Sequence, residues 1–165
     1  MTSHEVSEFL APIRHQFPDP RSLVLPALKF AQGDAGWLSP QSMAAVAEAT
    51  GFSEAYVESV ATFYDRLYTE PVGSRVLSVC VTLSCMLRGS DDLFGHVADR
   101  LGLDGAGTTE DGMFTLQTAQ CLGACDRAPC MQVDAGEQMG PLTCRDADRI
   151  LDELRAEGPP AHYER

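Results

Sequence analysis

The chain is short of cations: 12 Lys and Arg stand against 24 Asp and Glu, for a formal net charge of −12. Nucleic acid is a poor partner for such a surface, because neutralising phosphates needs basic side chains. Direct docking on an anionic membrane surface is disfavoured on the same ground. No apolar run approaches the roughly 18 residues that mark a spanning helix. The opening stretch Met1-Thr-Ser-His-Glu-Val-Ser-Glu8 has no basic segment followed by an apolar one, so no secretory signal is expected. There is no G-x-G-x-x-G turn and no P-loop, so no nucleotide site is expected on this polypeptide. C-x-x-C is absent too, which removes a thioredoxin-type redox disulfide.

What the chain does carry is six cysteines, four of them in two short runs. These are Cys80-Val-Thr-Leu-Ser-Cys85 and Cys121-Leu-Gly-Ala-Cys125, that is C-x4-C, an interval of 35 residues, and C-x3-C. A disulfide framework needs an oxidising compartment; in a reducing one, clustered cysteines are more often metal ligands. Two close thiolate pairs can converge on one centre, and thiolate is a soft donor suited to zinc, copper(I) or an iron–sulfur cluster. A [2Fe–2S] cluster takes two thiolates on each iron, as two separated pairs supply. It would add to the negative charge, at about −2 oxidised and about −3 reduced. The interval is long for a zinc ribbon, and the plant-type ferredoxin spacing is absent. Spacing alone therefore leans towards iron–sulfur and leaves structural zinc open.

The first part of the chain reads as helical. Val6, Phe9, Leu10, Ile13 and Phe17 fall at helical spacing over residues 5–17, with Pro18 and Pro20 as the stop. A second helix is predicted over 22–33, with Pro26 in its first turn or kinking it. Trp37 lies in the connection and is expected to be a core or hinge aromatic rather than a docking anchor. Ser39-Pro40 predicts a helix start over 41–50, Gly51 its end, and Ser53 the cap of a fourth helix bearing Val57, Val60, Phe63 and Tyr64. Pro71 and Gly73 mark a boundary. The expected organisation is a helical module at 1–70, a second domain at 75–156 and a frayed tail at 157–165.

After residue 74 the pattern alternates between strand and helix. Arg75–Val81 predicts a buried strand that delivers Cys80 at its end, with Cys85 in the following loop. Ser90 is the predicted cap of a helix to about Leu101, and His96 beside its apolar face is expected to be structural. Asp111-Gly112 predicts a turn before a strand at 113–119, after which Cys121 and Cys125 follow in a loop with Gly123 between them. Cys130–Val133 predicts a third strand, Ala135-Gly136-Glu137 a turn, and Gln138–Leu142 a further strand. Thr143-x-x-Asp146 resembles a capping box for the last helix. Cys130 and Cys144 are expected to be buried thiols, with a ligand role or an influence on the cluster as the alternative for Cys130.

Several stretches resemble one family. They are Gln32-x-x-x-Gly36-Trp37, Val60-Ala-Thr-Phe-Tyr64, Cys80-x-x-x-x-Cys85-x-Leu87-Arg-Gly89, Thr109-x-Asp111-Gly112-x-Phe114, Cys121-Leu-Gly-Ala-Cys125 and Ala128-Pro129. Together they are similar to the [2Fe–2S] subunit of respiratory complex I, the NADH:quinone oxidoreductase, from about residue 7 to residue 155. The resemblance implies an α/β (α+β) fold: an N-terminal helical module followed by a thioredoxin-like [2Fe–2S] ferredoxin domain. It implies Cys80, Cys85, Cys121 and Cys125 as the iron ligands of one [2Fe–2S] cluster. It further implies a partner flavoprotein subunit that carries FMN and the NADH site. The expected role is an electron-transfer subunit, not catalytic alone, peripheral to the cytoplasmic membrane as part of the complex. The cluster is expected to be a side store for one electron. An equivalent subunit of an NAD-dependent formate dehydrogenase or of an NAD-linked hydrogenase diaphorase is the alternative, and a zinc-stabilised adaptor without redox role a remote one. Cys130 departs from the family, in which that position is usually aliphatic or Met.

Overall fold

Thr2 opens the first helix, α1 (Ser3–Leu10). Its hydroxyl caps the Glu5 amide, and the Glu5 carboxylate accepts from the Thr2 amide in a capping box. The computed structural model describes residues 1–134 and 136–160, and these separate into two units, Met1–Pro71 and the described residues from Val72 onward. The predicted turn at Ala135 and the predicted tail at 161–165 fall on residues outside that description.

The helix predicted over 5–17 stops at Leu10. Pro12 is the cause, since its ring clashes with the carbonyl four residues back and it offers no amide. A 3-10 turn at Arg14–Gln16 follows, and another at Pro20–Leu23 leads into α2 (Val24–Ala35). Pro26 sits in the first turn of α2, where an amide has no intrahelical partner to lose. The helices α3 (Pro40–Thr50) and α4 (Glu54–Phe63) follow. Ser39 caps α3, Gly51 ends it in the left-handed region, and Ser53 caps α4.

Val6, Leu10, Val24, Ala27, Leu28, Val46, Val57 and Ala61 close one apolar core. Phe9 stacks on Phe30 at 4.3 Å between ring centroids. Gln32 is buried within this core, donating to the Arg66 carbonyl at 2.8 Å and accepting from the Tyr68 amide at 2.7 Å. One side-chain amide thus satisfies the backbone that leaves α4. Trp37 is half-buried, whereas Phe63 and Tyr64 face solvent.

The second unit begins with β1 (Arg75–Cys80), α5 (Leu83–Leu87) and α6 (Ser90–Leu101). It continues with β2 (Gly107–Thr108), β3 (Phe114–Ala119), β4 (Met131–Val133) and β5 (Gln138–Met139), and ends with α7 (Cys144–Glu157). The sheet order is β2-β3-β1-β4-β5. The central pair β1 and β3 is parallel, with Cys80 opposite Ala119, and β4 runs antiparallel to β1, with Met131 opposite Val79. Leu77, Val79, Leu93, Val97, Phe114, Leu116, Met131, Ile150 and Leu151 form the core under α6 and α7. The capping box at Thr143 is present, with Thr143 and Asp146 exchanging side-chain and backbone hydrogen bonds.

Four expectations are corrected. Cys85 lies on a short helix, α5, because Thr82 begins a turn that returns as the Met86 amide to the Thr82 carbonyl at 2.9 Å. Gly89, not Ser90, is the cap of α6: the two-residue link from α5 requires φ +88, which glycine adopts without strain. Ser90 is instead the first helical residue, fully buried, and its hydroxyl has no hydrogen-bond partner. The strand predicted at 138–142 is only Gln138–Met139, and the pairing strand β2 was not anticipated at all.

Candidate metal centre

The end of β1 and the end of β3 lie side by side because the two strands are parallel and in register at Cys80 and Ala119. Cys80 is the last residue of β1, and Cys121 follows two residues after the end of β3. Both cysteine runs therefore leave the same end of one sheet, where open α/β sheets usually place ligands. Cys130 reaches that end from the other side, since the Cys80 amide donates to the Cys130 carbonyl at 3.0 Å just before β4 begins.

The first run is buried. Cys80 is 2% and Cys85 1% exposed, and Cys130 joins them at 1%. The sulfurs of these three all lie within 4.8 Å of one another, the one such thiol group among the described residues. Cys85 Sγ and Cys130 Sγ are 3.7 Å apart. Cys80 Sγ sits 3.1 Å from Thr82 Oγ1. The second run is open. Cys121 and Cys125 are exposed, fall outside the three-sulfur group, and flank a turn in which the Gly123 amide donates to Cys121 Sγ at 3.4 Å. Gly123 has φ +75, a backbone shape that glycine meets without cost. The intervening loop is nonetheless seated on the buried sulfurs, for Leu122, Ala124 and Ala128 pack with Cys80, Cys85 and Cys130 in a small cluster of their own. Cys144 is the first residue of α7 and half-buried.

Burial pushes the Cys80 thiol up, but hydrogen bonds from the Thr82 hydroxyl, the Thr82 backbone and the Leu122 backbone outweigh it and bring Cys80 down to about 7. Burial, and then the neighbouring Cys80, push Cys85 up. Burial drives Cys130 up to about 12, with Cys85 adding to the effect. Sulfurs this close and this dry cannot all carry charge unless a cation sits among them, so metal binding and thiol ionisation go together here. The donors are all sulfur, which suits a thiophilic iron centre and excludes a calcium or magnesium site. A backbone N–H aimed at a ligand sulfur, as at Leu122, is a usual feature of iron–sulfur loops. The residues present thus fit a [2Fe–2S] cluster.

His96 has another task, as expected. Its Nε2 lies 3.0 Å from Asp148 Oδ1, and Arg100 bridges Asp148 and Asp152, so α6 and α7 are joined by an ionic seam. Thr82 and Leu122 were not anticipated as site residues. A threonine two positions after a cysteine and a loop leucine carry no distinctive pattern, and it is the fold that turns them onto Cys80.

The family model described as thioredoxin-like [2Fe-2S] ferredoxin matches residues 10–155. The chain belongs to that family. Among its relatives, an NADH-quinone oxidoreductase subunit of Rhizobium meliloti is 42% identical over 141 residues, covering 86% of this chain and 83% of that protein. The NADH-quinone oxidoreductase subunit 2 of Thermus thermophilus is 34% identical over 136 residues, covering 82% and 75%. In fold, this thioredoxin-like ferredoxin is similar to a solved NAD+-reducing [NiFe]-hydrogenase in the air-oxidized state. The TM-score is 0.71 at 20% identity, over 81% of this chain and 23% of that one. Membership brings one [2Fe–2S] cluster as the cofactor, in agreement with the all-sulfur donor set. Among the described residues no helix is long and apolar enough to cross a membrane.

Proposed function

We propose that this chain is the electron-transfer subunit of an NADH:quinone oxidoreductase. In this reading its cluster is held by Cys80 and Cys85 on one side and by Cys121 and Cys125 on the other. The observation that carries it is the register of parallel β1 and β3, which brings both cysteine runs to one end of one sheet. The relatives named for that enzyme, at 34–42% identity over most of the chain, support this complex over a formate dehydrogenase or a hydrogenase diaphorase. A zinc adaptor is left without support by membership of a [2Fe-2S] family.

When bound, the cluster supplies one-electron transfer at a potential set by its surroundings, within a range of roughly −700 to +450 mV. The chain's own residues set those surroundings. Thr82 and the Leu122 amide favour the charged form of the Cys80 sulfur, and Ala124, Ala128 and Leu122 pack against the buried side. In this reading NADH and FMN belong to a partner flavoprotein subunit, which fits a chain without a G-x-G-x-x-G turn or a P-loop. Hydride reaches such a flavin as an electron pair, and an iron–sulfur centre takes one electron at a time. The five-residue helix that carries Cys85 also exposes Leu83 at 66%, Met86 at 47% and Leu87 at 73%, an apolar face that suits the partner's contact beside the site. We assign the cluster to a domain at 75–156 after a helical module at 1–70. We place the subunit on the cytoplasmic side of the membrane as a peripheral part of the complex.

The test is anaerobic purification with iron and sulfide supplied, followed by metal analysis and a paramagnetic spectrum of the reduced protein. The expected result is two irons per chain and the signal of a one-electron-reduced cluster, both lost in Cys121→Ala. A colourless protein holding zinc, or full iron in Cys121→Ala, overturns it.

A further inference from the structure

The buried sulfurs number three, while the family's first run provides two. Cys130 is the third, and its position is not that of an idle core thiol. Its carbonyl accepts from the Cys80 amide at 3.0 Å, which pins its backbone to the edge of β1. Behind it the chain passes at Gly140, close enough that an added Cβ would lie 3.0 Å from the Cys130 Cβ. The Cys130 sulfur lies 3.7 Å from that of Cys85. A metal–sulfur bond of about 2.3 Å and a tetrahedral angle set two thiolates on one metal about 3.8 Å apart. Cys130 and Cys85 thus stand at the separation of two ligands of a single metal, with Cys80 completing a group within 4.8 Å.

We propose that Cys130 is a substitute iron ligand, able to take the place of Cys85. The inference rests on the ligand set proposed above and adds a fifth competent sulfur to it. In the exchange Cys130 releases its proton to solvent and bonds the iron. Cys85 gives up the iron and takes a proton from solvent. One iron–sulfur bond forms, one breaks, and no electron moves, so the cluster's charge and oxidation state are unchanged. Among the described residues no further thiol groups with the second run: Cys121 and Cys125 are exposed and outside the three-sulfur group.

The experiment compares Cys85→Ala, Cys130→Ala and the double variant in the full chain, purified anaerobically, by iron per chain, visible absorbance and the reduced paramagnetic signal. Cys130→Ala is expected to keep its iron. Cys85→Ala is expected to keep most of its iron with shifted absorbance and a shifted signal. The double variant is expected to lose iron at least tenfold. A parallel pair, Cys85→Ser with and without Cys130→Ala, reads the same dependence with a smaller change of volume should the alanine fail to fold. Equal loss with and without Cys130 in both series overturns the proposal, as does retention of iron in the double variants or loss in Cys130→Ala alone. Cys121→Ala in the same preparation separates the two ideas: if it keeps full iron, the four-ligand set has failed, whatever Cys130 does.

Discussion

The connection from β1 to α5 and the connection from β3 to β4 each carry two cysteines, yet the fold treats them differently. In the first, Cys80 and Cys85 are 2% and 1% exposed, and Thr82 and Leu122 hold the Cys80 sulfur by hydrogen bonds. In the second, Cys121 and Cys125 face solvent on a turn shaped by Gly123, whose amide donates to Cys121 Sγ. One half of the proposed site is buried in a small cluster at the end of the sheet, apart from the core under α6 and α7. The other is a flap whose apolar residues rest on those sulfurs while its two thiols, the remaining proposed ligands, are exposed. The difference implies that the metal does unequal work, completing the order of the flap while leaving the strand end much as it is.

Taking the iron away sharpens this contrast most. Amide exchange in 121–128 is expected to rise at least tenfold on chelation, while Val76–Val79 in β1 stay protected. Equal loosening of both segments would show that neither half is preformed. Phe114→Ala should loosen both halves alike, since this fully buried ring starts β3 opposite Arg75, at the far end of the sheet from both runs, and packs in the core under α6 and α7. A cost of about 3–5 kcal/mol in urea unfolding is expected. Gly140→Ala acts where the loop of the second run meets Cys130: the new Cβ meets the Arg127 and Pro129 carbonyls and the Cys130 Cβ. About 1–3 kcal/mol is expected from such overpacking, with a change in visible absorbance that Phe114-type core variants retaining the fold do not share.

A smaller effect lies far from the sulfurs. Thr143→Ala removes the cap of α7 and should cost about 1 kcal/mol. The hydrogen bond from the Thr143 side chain, then that from its backbone, lower the Asp146 carboxyl below its usual 3.8. The stability this pair contributes is therefore present above the ordinary carboxylate value and is lost as pH falls through the lowered one. An acid titration followed by circular dichroism should show that loss in the parent chain and less of it in Thr143→Ala. Least of all is expected from Cys144→Ser at the start of α7: unchanged iron and stability within about 0.5 kcal/mol, checked by metal analysis and urea unfolding.

Much of the fold was legible because its signals are local. Ser39, Ser53 and Thr143 announce helix starts by what their hydroxyls do within three residues. The β-branched and apolar run before Cys80 announces a buried strand for want of any polar face. Where the expectation failed, a second local signal prevailed. Pro12 outweighs the apolar periodicity that continues to Phe17, and the tight link at Gly89 displaces Ser90 from the cap it suits by type. The strand β2 has two residues, and its pairing with β3 leaves no period to detect.

Spacing along the chain was enough to identify soft-metal chemistry, because the sulfur content and the short reach of C-x4-C and C-x3-C are properties of sequence alone. The resemblance of the surrounding motifs named the cluster. Only the tertiary structure decided which sulfurs are dry and which are wet. That outcome depends on a parallel register, an antiparallel return and a close pass at Gly140, all contacts between residues distant in sequence. Cys130 is the clearest case: the sequence reads it as a buried thiol with a ligand role as the alternative, and it becomes a neighbour of Cys85 only when β4 pairs with β1.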